Sequence, residues 1–188
     1  MVMKTDYFWI WLIEGLVISI LGCILHFTYA WSHQNKFVAI FSAVNESTWE
    51  HIKLALSGIF ACTLVDVWLL GDNPNYWFCK SISFLVPILM IPAIFYGYTA
   101  FTKRPILAID ISSFVVASFA STLTFTSLMQ LAPMGLAGSI MSMLITVVVL
   151  ALYLSWTRFP IHGNRLFRDP ITGKYGYEGH RPYHRHDK

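Results

Sequence analysis

Four side chains around the first connection between apolar stretches are of the types that bind metals or transfer protons. His26 precedes this connection, Glu46 and Glu50 lie near its end, and His51 follows at once. Asp110 lies about as far into a later apolar stretch as His51 lies into the second one. Two imidazoles and a carboxylate suit zinc in catalytic sites, where an open position holds a water molecule that the metal activates. Such a site requires that the fold bring these residues together.

The rest of the chain is strongly apolar: of 188 residues, 56% are hydrophobic and 12% are charged. About 25% is usual for the charged fraction of a soluble domain. Helices are expected because the edges of open strands would leave amides unbonded in hydrocarbon. The sequence predicts an all-α integral membrane protein, a five-helix transmembrane bundle over residues 1–157, followed by a basic, non-helical tail over 158–188. The predicted spans are 7–30, 48–70, 76–101, 106–131 and 135–157.

The basic residues predict the orientation of these spans in the cell membrane. With five spans the two termini lie on opposite sides, and seven of the thirteen Lys and Arg residues follow Trp156. Lys36, Lys53, Lys103 and Arg104 fall on the same side as the tail, and the other side has Lys4 and Lys80. By the positive-inside rule, the N-terminus is expected outside and the tail in the cytoplasm.

Antiparallel spans would bring His26, His51 and Asp110 to one level, just beneath the cytoplasmic interface. We expect the small-residue faces of spans one and two to pack together, because small residues let helices approach closely. These faces contain Gly15, Ser19, Gly22 and His26 in span one and His51, Ala55, Gly58 and Cys62 in span two. The predicted metal ligands are His26, His51 and Glu46, and the predicted acid–base groups are Glu50, His51 and Asp110.

Each of these residues also has a purely structural interpretation. Ser47 and Glu50 are spaced as a capping box, in which both side chains bond to free amides at a helix start. A neutral histidine near a helix end can bond to a backbone carbonyl, and Asp110 can be an acid at a helix start. Haem ligation by the two histidines is a further alternative, although nothing else in the sequence indicates a haem pocket.

Two further acids, Glu14 and Asp66, lie in the outer half of the spans. Glu14 has no basic partner within its own span. It is therefore neutral, hydrogen-bonded to a neighbouring helix, or part of a proton or cation path. We expect a neutral, structural role for Glu14 and a position near the membrane interface for Asp66.

The chain resembles an uncharacterised family of small bacterial membrane proteins, a domain of unknown function. The resemblance rests on an Asn-Glu-Ser-x-Trp-Glu-His motif at 45–51, on His26, Tyr29 and Trp31, and on a Phe-x-Asp-Pro element at 167–170. It covers nearly the whole chain, and it implies no activity, substrate or cofactor.

Two classes of function remain open from the sequence. One is a membrane-embedded, metal-assisted hydrolase or transferase that acts on a lipid or other amphiphile at the cytoplasmic leaflet, with a divalent metal such as zinc. The other is a non-enzymatic subunit of a membrane complex, or a small transporter, that docks a membrane-protein partner through its cytoplasmic face. In both, the basic tail is expected to meet anionic lipid headgroups. No nucleic-acid partner is expected.

Overall fold

The computed structural model describes residues 5–180 and confirms the all-α fold. Five α-helices, each long and apolar enough to cross a membrane, account for most of this part of the chain. They are α1 (Thr5–Trp31), α2 (Thr48–Leu70), α3 (Tyr76–Thr102), α4 (Leu107–Leu128) and α5 (Gly135–Ser155). The predicted span boundaries agree within three residues, and the chain is a multi-pass membrane protein. Pro87 and Pro92 lie inside α3, which continues past both.

The first four helices form a ring in which each contacts the next and α4 returns to α1. Helix α5 lies outside this ring against α3. Its Tyr153 hydroxyl also reaches Ser57 of α2, at 2.9 Å. Side chains of all five helices contribute to the largest apolar core, which includes Ile18, Ile59 and Phe114. The ring therefore fixes the relative positions of α1 and α2, the two helices that carry the histidines.

The predicted pairing of two small-residue faces is wrong in one respect. Gly58 of α2 does face α1, because a Cβ atom there would lie 2.8 Å from the side chain of Ile18. Gly15 and Gly22 of α1 instead face Phe119 and Phe114 of α4. The glycines of α1 therefore leave room for the large rings of α4, and helix α1 uses a neighbouring face against α2.

We call the end of the bundle that carries the α1–α2 connection the tail end. Here the connection contains a short 3-10 helix, Val38–Ile40, and the segment 158–180 folds back over the start of α2. The N–H of Trp49 donates to the carbonyl of Leu166 at 2.9 Å. The rings of Trp49 and Phe167 contact each other, with centroids 5.8 Å apart. Residues 158–180, hereafter the tail segment, thus form part of the fold.

The tail segment is largely non-helical, as predicted, but it contains two short regular elements. A one-turn 3-10 helix covers Gly176–Gly179, and a single antiparallel bridge joins Arg168 to Tyr175. Phe167 and Asp169 are buried, with 2% and 1% of their surface exposed. The histidine-bearing end of the chain, 181–188, lies outside the described residues.

Candidate metal centre at the tail end of the bundle

Three ligand-type side chains from three separate segments converge at the tail end. His26 comes from the last turns of α1, His51 from the first turn of α2, and Glu46 from the connection between them. One donor atom from each lies within 4.8 Å of the others. The Nε2 atoms of His26 and His51 lie 3.4 and 3.8 Å from Oε2 of Glu46. Ligand atoms on a tetrahedral zinc ion lie about 3.4 Å apart, given bonds of about 2.1 Å, so this spacing is close to that of a zinc site.

A backbone contact orients the imidazole of His51. Its Nδ1 atom lies 3.0 Å from the carbonyl oxygen of Ser47, which can only accept a hydrogen bond. Nδ1 must therefore carry the proton, which leaves the lone pair of the neutral ring on Nε2, on the side of Glu46. Metal-binding histidines are usually held in this way by a partner at the second nitrogen. Nδ1 of His26 is buried without a hydrogen-bond partner among the described residues.

The tail segment holds Glu46 in position from its backbone side. The N–H of Glu46 donates to Oδ2 of Asp169 at 2.9 Å. Its neighbour Asn45 donates through Nδ2 to the carbonyl of Gly176 at 2.8 Å. Nδ1 of His180 lies 3.1 Å from the carbonyl of Val44. The segment that carries Glu46 is therefore held at three points by residues more than a hundred positions away.

The charge of Glu46 is stabilised by the two histidines. Partial burial raises the pKa of this carboxyl, but a hydrogen bond from His26 and the positive charges of His26 and His51 more than offset it. The net effect is a pKa below the ordinary value for glutamate. A carboxylate that stays ionised beside two imidazoles attracts a cation that would displace the histidine protons.

The centre is accessible to water and borders an apolar surface. The side chains of His26, His51 and Glu46 are 21%, 25% and 38% exposed, respectively. The ring of Phe27 lies 5.1 Å from that of His26 and stacks on Trp31 at 5.8 Å. Since Trp31 is 66% exposed, a molecule that reaches the centre would pass exposed aromatic surface.

Glu50, a predicted acid–base group, lies in a different environment. It forms a buried ion pair with Lys53 at 2.6 Å, and the two side chains are 2% and 0% exposed. Its carboxylate also accepts hydrogen bonds from the N–H of Val44 at 2.9 Å and the hydroxyl of Thr157 at 3.1 Å. The carboxylate is occupied by these partners and joins the connection, α2 and the residues after α5.

The capping-box prediction for Ser47 and Glu50 is wrong. Ser47 is the residue before α2, but its side chain makes no capping hydrogen bond. The carboxylate of Glu50 accepts a hydrogen bond from the N–H of Val44 and not from the N–H of Ser47. The N–H of Ser47 donates to Oδ1 of Asn45 at 2.8 Å instead. Because Glu50 pairs with Lys53, it is not free to bond back to the helix start.

Asp110 is positioned by a tyrosine rather than by the histidines. It lies in the first turn of α4, where its Oδ1 accepts a hydrogen bond of 2.6 Å from the hydroxyl of Tyr98. The same hydroxyl accepts from the N–H of Ile106 at 3.0 Å. These contacts hold the α3–α4 connection, and Asp110 does not belong to the group of three donors formed by His26, Glu46 and His51.

Sequence reasoning missed three residues that organise the polar interior. In the sequence, Asp169 stands out only as part of a motif, and Lys53 and Lys80 stand out only as basic residues that indicate orientation. Antiparallel spans bring residues of equal depth together, as they do for His26 and His51. By the same reasoning, Lys80 lies in the same half of the membrane as Glu14 and Asp66. That shared depth was the available signal for Lys80, whereas no spacing links Asp169 to Glu46.

Comparisons with known proteins place the chain in a family but suggest no activity. No curated protein and no solved structure matches it. A family model matches residues 2–177, which is nearly all of the chain. The protein therefore belongs to DUF6512, a family of unknown function.

Proposed function

We propose that this protein is a membrane-embedded metalloenzyme that hydrolyses or transfers a group of a lipid or other amphiphile at the cytoplasmic leaflet. In this proposal His26, Glu46 and His51 hold a divalent metal, with zinc as the best match. The observation that carries it is the convergence of three donor atoms within 4.8 Å from three separate segments of the chain.

The donor set supports a catalytic rather than a purely structural metal. Two histidines and one carboxylate are three protein ligands, and catalytic zinc sites keep the fourth position open for water or substrate. A metal bound there would polarise a substrate oxygen and activate water. His51 would bind through Nε2 because Ser47 holds its Nδ1 proton. Glu46 would neutralise part of the added charge, and Asp169 would position it.

The surroundings of the centre support an amphiphilic substrate. The three donors lie at the end of membrane-spanning helices, where a lipid headgroup would meet the protein. Trp31 and Phe37, at the same end, are 66% and 69% exposed. An acyl chain could lie along this surface while its polar group reached the metal.

The tail segment supports the same location. Its four cations are exposed, and none of them forms an ion pair with another described residue. They are Arg158, Arg165, Arg168 and Lys174. Clustered cations next to a membrane span attract anionic headgroups. The basic tail would therefore keep the centre at an anionic leaflet, which for most membranes is the cytoplasmic one.

An activity survey tests this proposal. The purified full-length protein, loaded with zinc in anionic lipid vesicles, would be incubated with amphiphilic carboxylic esters, phosphoesters and amides. We expect turnover of one class, abolished by His51→Ala and retained by His162→Ala, the matched change of an exposed histidine of the tail segment. Zinc binding without turnover of any class would contradict the enzyme and favour the alternative, a subunit that docks a membrane partner.

A further inference from the structure

Three charged side chains meet inside the bundle, in the half away from the metal centre. Lys80 of α3 donates to Oε2 of Glu14 on α1 at 3.3 Å and forms an ion pair with Asp66 of α2. Its ammonium group also lies 3.7 Å from the centre of the Phe125 ring on α4. All four helices of the ring therefore contribute to this cluster, which we call the Glu14–Asp66–Lys80 cluster.

This arrangement bears on two expectations from the sequence. Glu14 does have a basic partner, supplied by another helix rather than by its own span. Asp66 does not simply approach the interface, because only 5% of its surface is exposed and it is paired with Lys80. Lys80 lies about one turn into α3, and Asp66 about one turn before the end of α2, so the cluster is near the end of the bundle but enclosed by it.

The cluster contains an imbalance of charge. Glu14, Asp66 and Lys80 are 7%, 5% and 1% exposed. With all three ionised, two carboxylates face a single ammonium group, which leaves one uncompensated negative charge. An unpaired charge buried in a membrane protein is expensive. A bound proton or a bound cation would remove it.

Among the residues that the structure describes, the titratable groups next to the cluster cannot supply the missing positive charge. Cys62 of α2 interacts electrostatically with all three members of the cluster, and Tyr76 of α3 interacts with both acids. Cys79 of α3 interacts with Lys80. Thiols and phenols ionise only to anions, so each would add to the imbalance. From α4, the uncharged ring of Phe125 contacts Lys80.

One oxygen atom is available for the missing charge. Oε1 of Glu14 is buried and has no hydrogen-bond partner among the described residues. A metal cation needs several oxygen ligands, about six for the hard cations. Here Lys80 already occupies one oxygen of each acid, and a phenylalanine ring covers the ammonium group. A buried oxygen without a donor, beside acids that Lys80 already contacts, suits a proton far better than a metal cation.

We infer that the Glu14–Asp66–Lys80 cluster is a proton-binding site, which holds one exchangeable proton between its two carboxyl groups. With the proton bound, one acid is neutral, the other is paired with Lys80, and the cluster carries no net charge. Release of the proton leaves a buried negative charge where α1 meets α2 and α3. The inference is independent of the metal centre, which lies at the other end of the helices.

Infrared spectroscopy of the full-length protein in vesicles tests this inference by counting protonated carboxyl groups. The wild-type protein should show the carbonyl stretch of a protonated acid at neutral pH, with a shift in heavy water because the proton exchanges. Alkaline titration should remove the band. Absence of the band at neutral and at mildly acidic pH would overturn the inference.

Variants that change the charge of the cluster should change the number of protonated carboxyl groups in a defined way. Glu14→Gln and Asp66→Asn should each remove the infrared band, because Lys80 then compensates the charge of the one remaining acid. Lys80→Met should about double it, since two acids then need protons. Asp110→Asn is the control and should leave it unchanged, because Asp110 bonds to Tyr98 instead.

Two outcomes of these variants would overturn the inference. One is a band that survives in both acid variants, which would assign the proton to another carboxyl group. The other is a band that appears only when choline replaces sodium, which would mean that the cluster holds a metal cation. The two acid variants suffice if Lys80→Met does not fold.

Discussion

The main-chain N–H of Glu46 donates a hydrogen bond of 2.9 Å to Oδ2 of Asp169, which lies 123 residues later in the chain. Through this bond the tail segment positions a candidate metal ligand. The other oxygen, Oδ1, accepts from the N–H groups of Ile171 and Thr172, at 2.7 Å each. Each carboxylate oxygen therefore has separate partners, the N–H groups of Ile171 and Thr172 in the tail segment for Oδ1 and the N–H of the candidate ligand Glu46 for Oδ2.

This division predicts that Asp169→Asn weakens metal binding. An asparagine can keep its oxygen on the two tail amides, but its amide nitrogen then faces the N–H of Glu46 and cannot accept. Partners that orient metal ligands typically contribute a factor of about 10 to 100 in affinity, so we expect the zinc Kd to rise at least about tenfold. Titration calorimetry would measure it, with Glu178→Gln as the control. Equal Kd values for the two variants would show that Asp169 does not position Glu46.

The buried pair of Glu50 and Lys53 predicts a large loss of stability on removal of one partner. Lys53→Met would leave a buried carboxylate without its cation, at a cost of about 3–5 kcal/mol. Adding Glu50→Gln should recover much of this cost, because the unpaired charge is gone. Thermal unfolding in detergent would compare both variants with Lys36→Met, which changes an exposed lysine. If Lys53→Met and Lys36→Met unfold at the same temperature, the ion pair of Glu50 and Lys53 does not stabilise the fold.

Close packing of α1 on α2 predicts opposite outcomes for two glycine substitutions. A Cβ at Gly58 would lie 2.8 Å from the side chain and 3.0 Å from the backbone of Ile18. Gly58→Ala should therefore cost about 1–3 kcal/mol and also weaken zinc binding, since it separates the helices that carry His26 and His51. Gly97→Ala, with nothing within 4 Å of the added Cβ, should be neutral or slightly stabilising. Similar unfolding temperatures for both variants would contradict this contact.

The distribution of basic residues predicts the orientation of the bundle. A reporter enzyme that is active only in the cytoplasm should work when fused after Lys188. A reporter that is active only outside should fail at the same position. The converse result would place the tail segment, the α1–α2 connection and the proposed metal centre at the outer leaflet.

The helices and the proximity of His26 to His51 could be predicted from the sequence because both depend on one-dimensional properties. Apolar length defines a span, and antiparallel spans bring residues of equal depth together. Depth alone does not fix the rotation of a helix, which explains why Gly15 and Gly22 were assigned to the wrong neighbour. They face the aromatic rings of α4, a contact that no periodicity in α1 indicates.

The remaining contacts of the site depend on pairings that are not encoded in local spacing. The sequence predicts Glu46 as a metal ligand and Glu50 as an acid–base group, but it does not indicate that Lys53 and Thr157 occupy the carboxylate of Glu50. Asp169 reaches Glu46 only through the fold of the tail segment over α2. Such choices between neighbouring acids need the tertiary structure.

Zinc stoichiometry of the purified protein tests the central claim, a metal centre formed by His26, Glu46 and His51, most directly. Elemental analysis and calorimetry would be done with His184→Ala and His186→Ala already present, because these terminal histidines can bind zinc without a built site. Into that background His51→Ala is introduced, with His162→Ala as the matched control, since His162 is exposed and its ring lies beside Tyr175.

We expect a single zinc ion per chain in the protein with His184→Ala and His186→Ala. The ion should be retained by His162→Ala and lost in His51→Ala, while the unfolding temperature of the metal-free protein changes little. A protein that binds no stoichiometric metal, or that keeps it in His51→Ala, would contradict a metal centre formed by His26, Glu46 and His51.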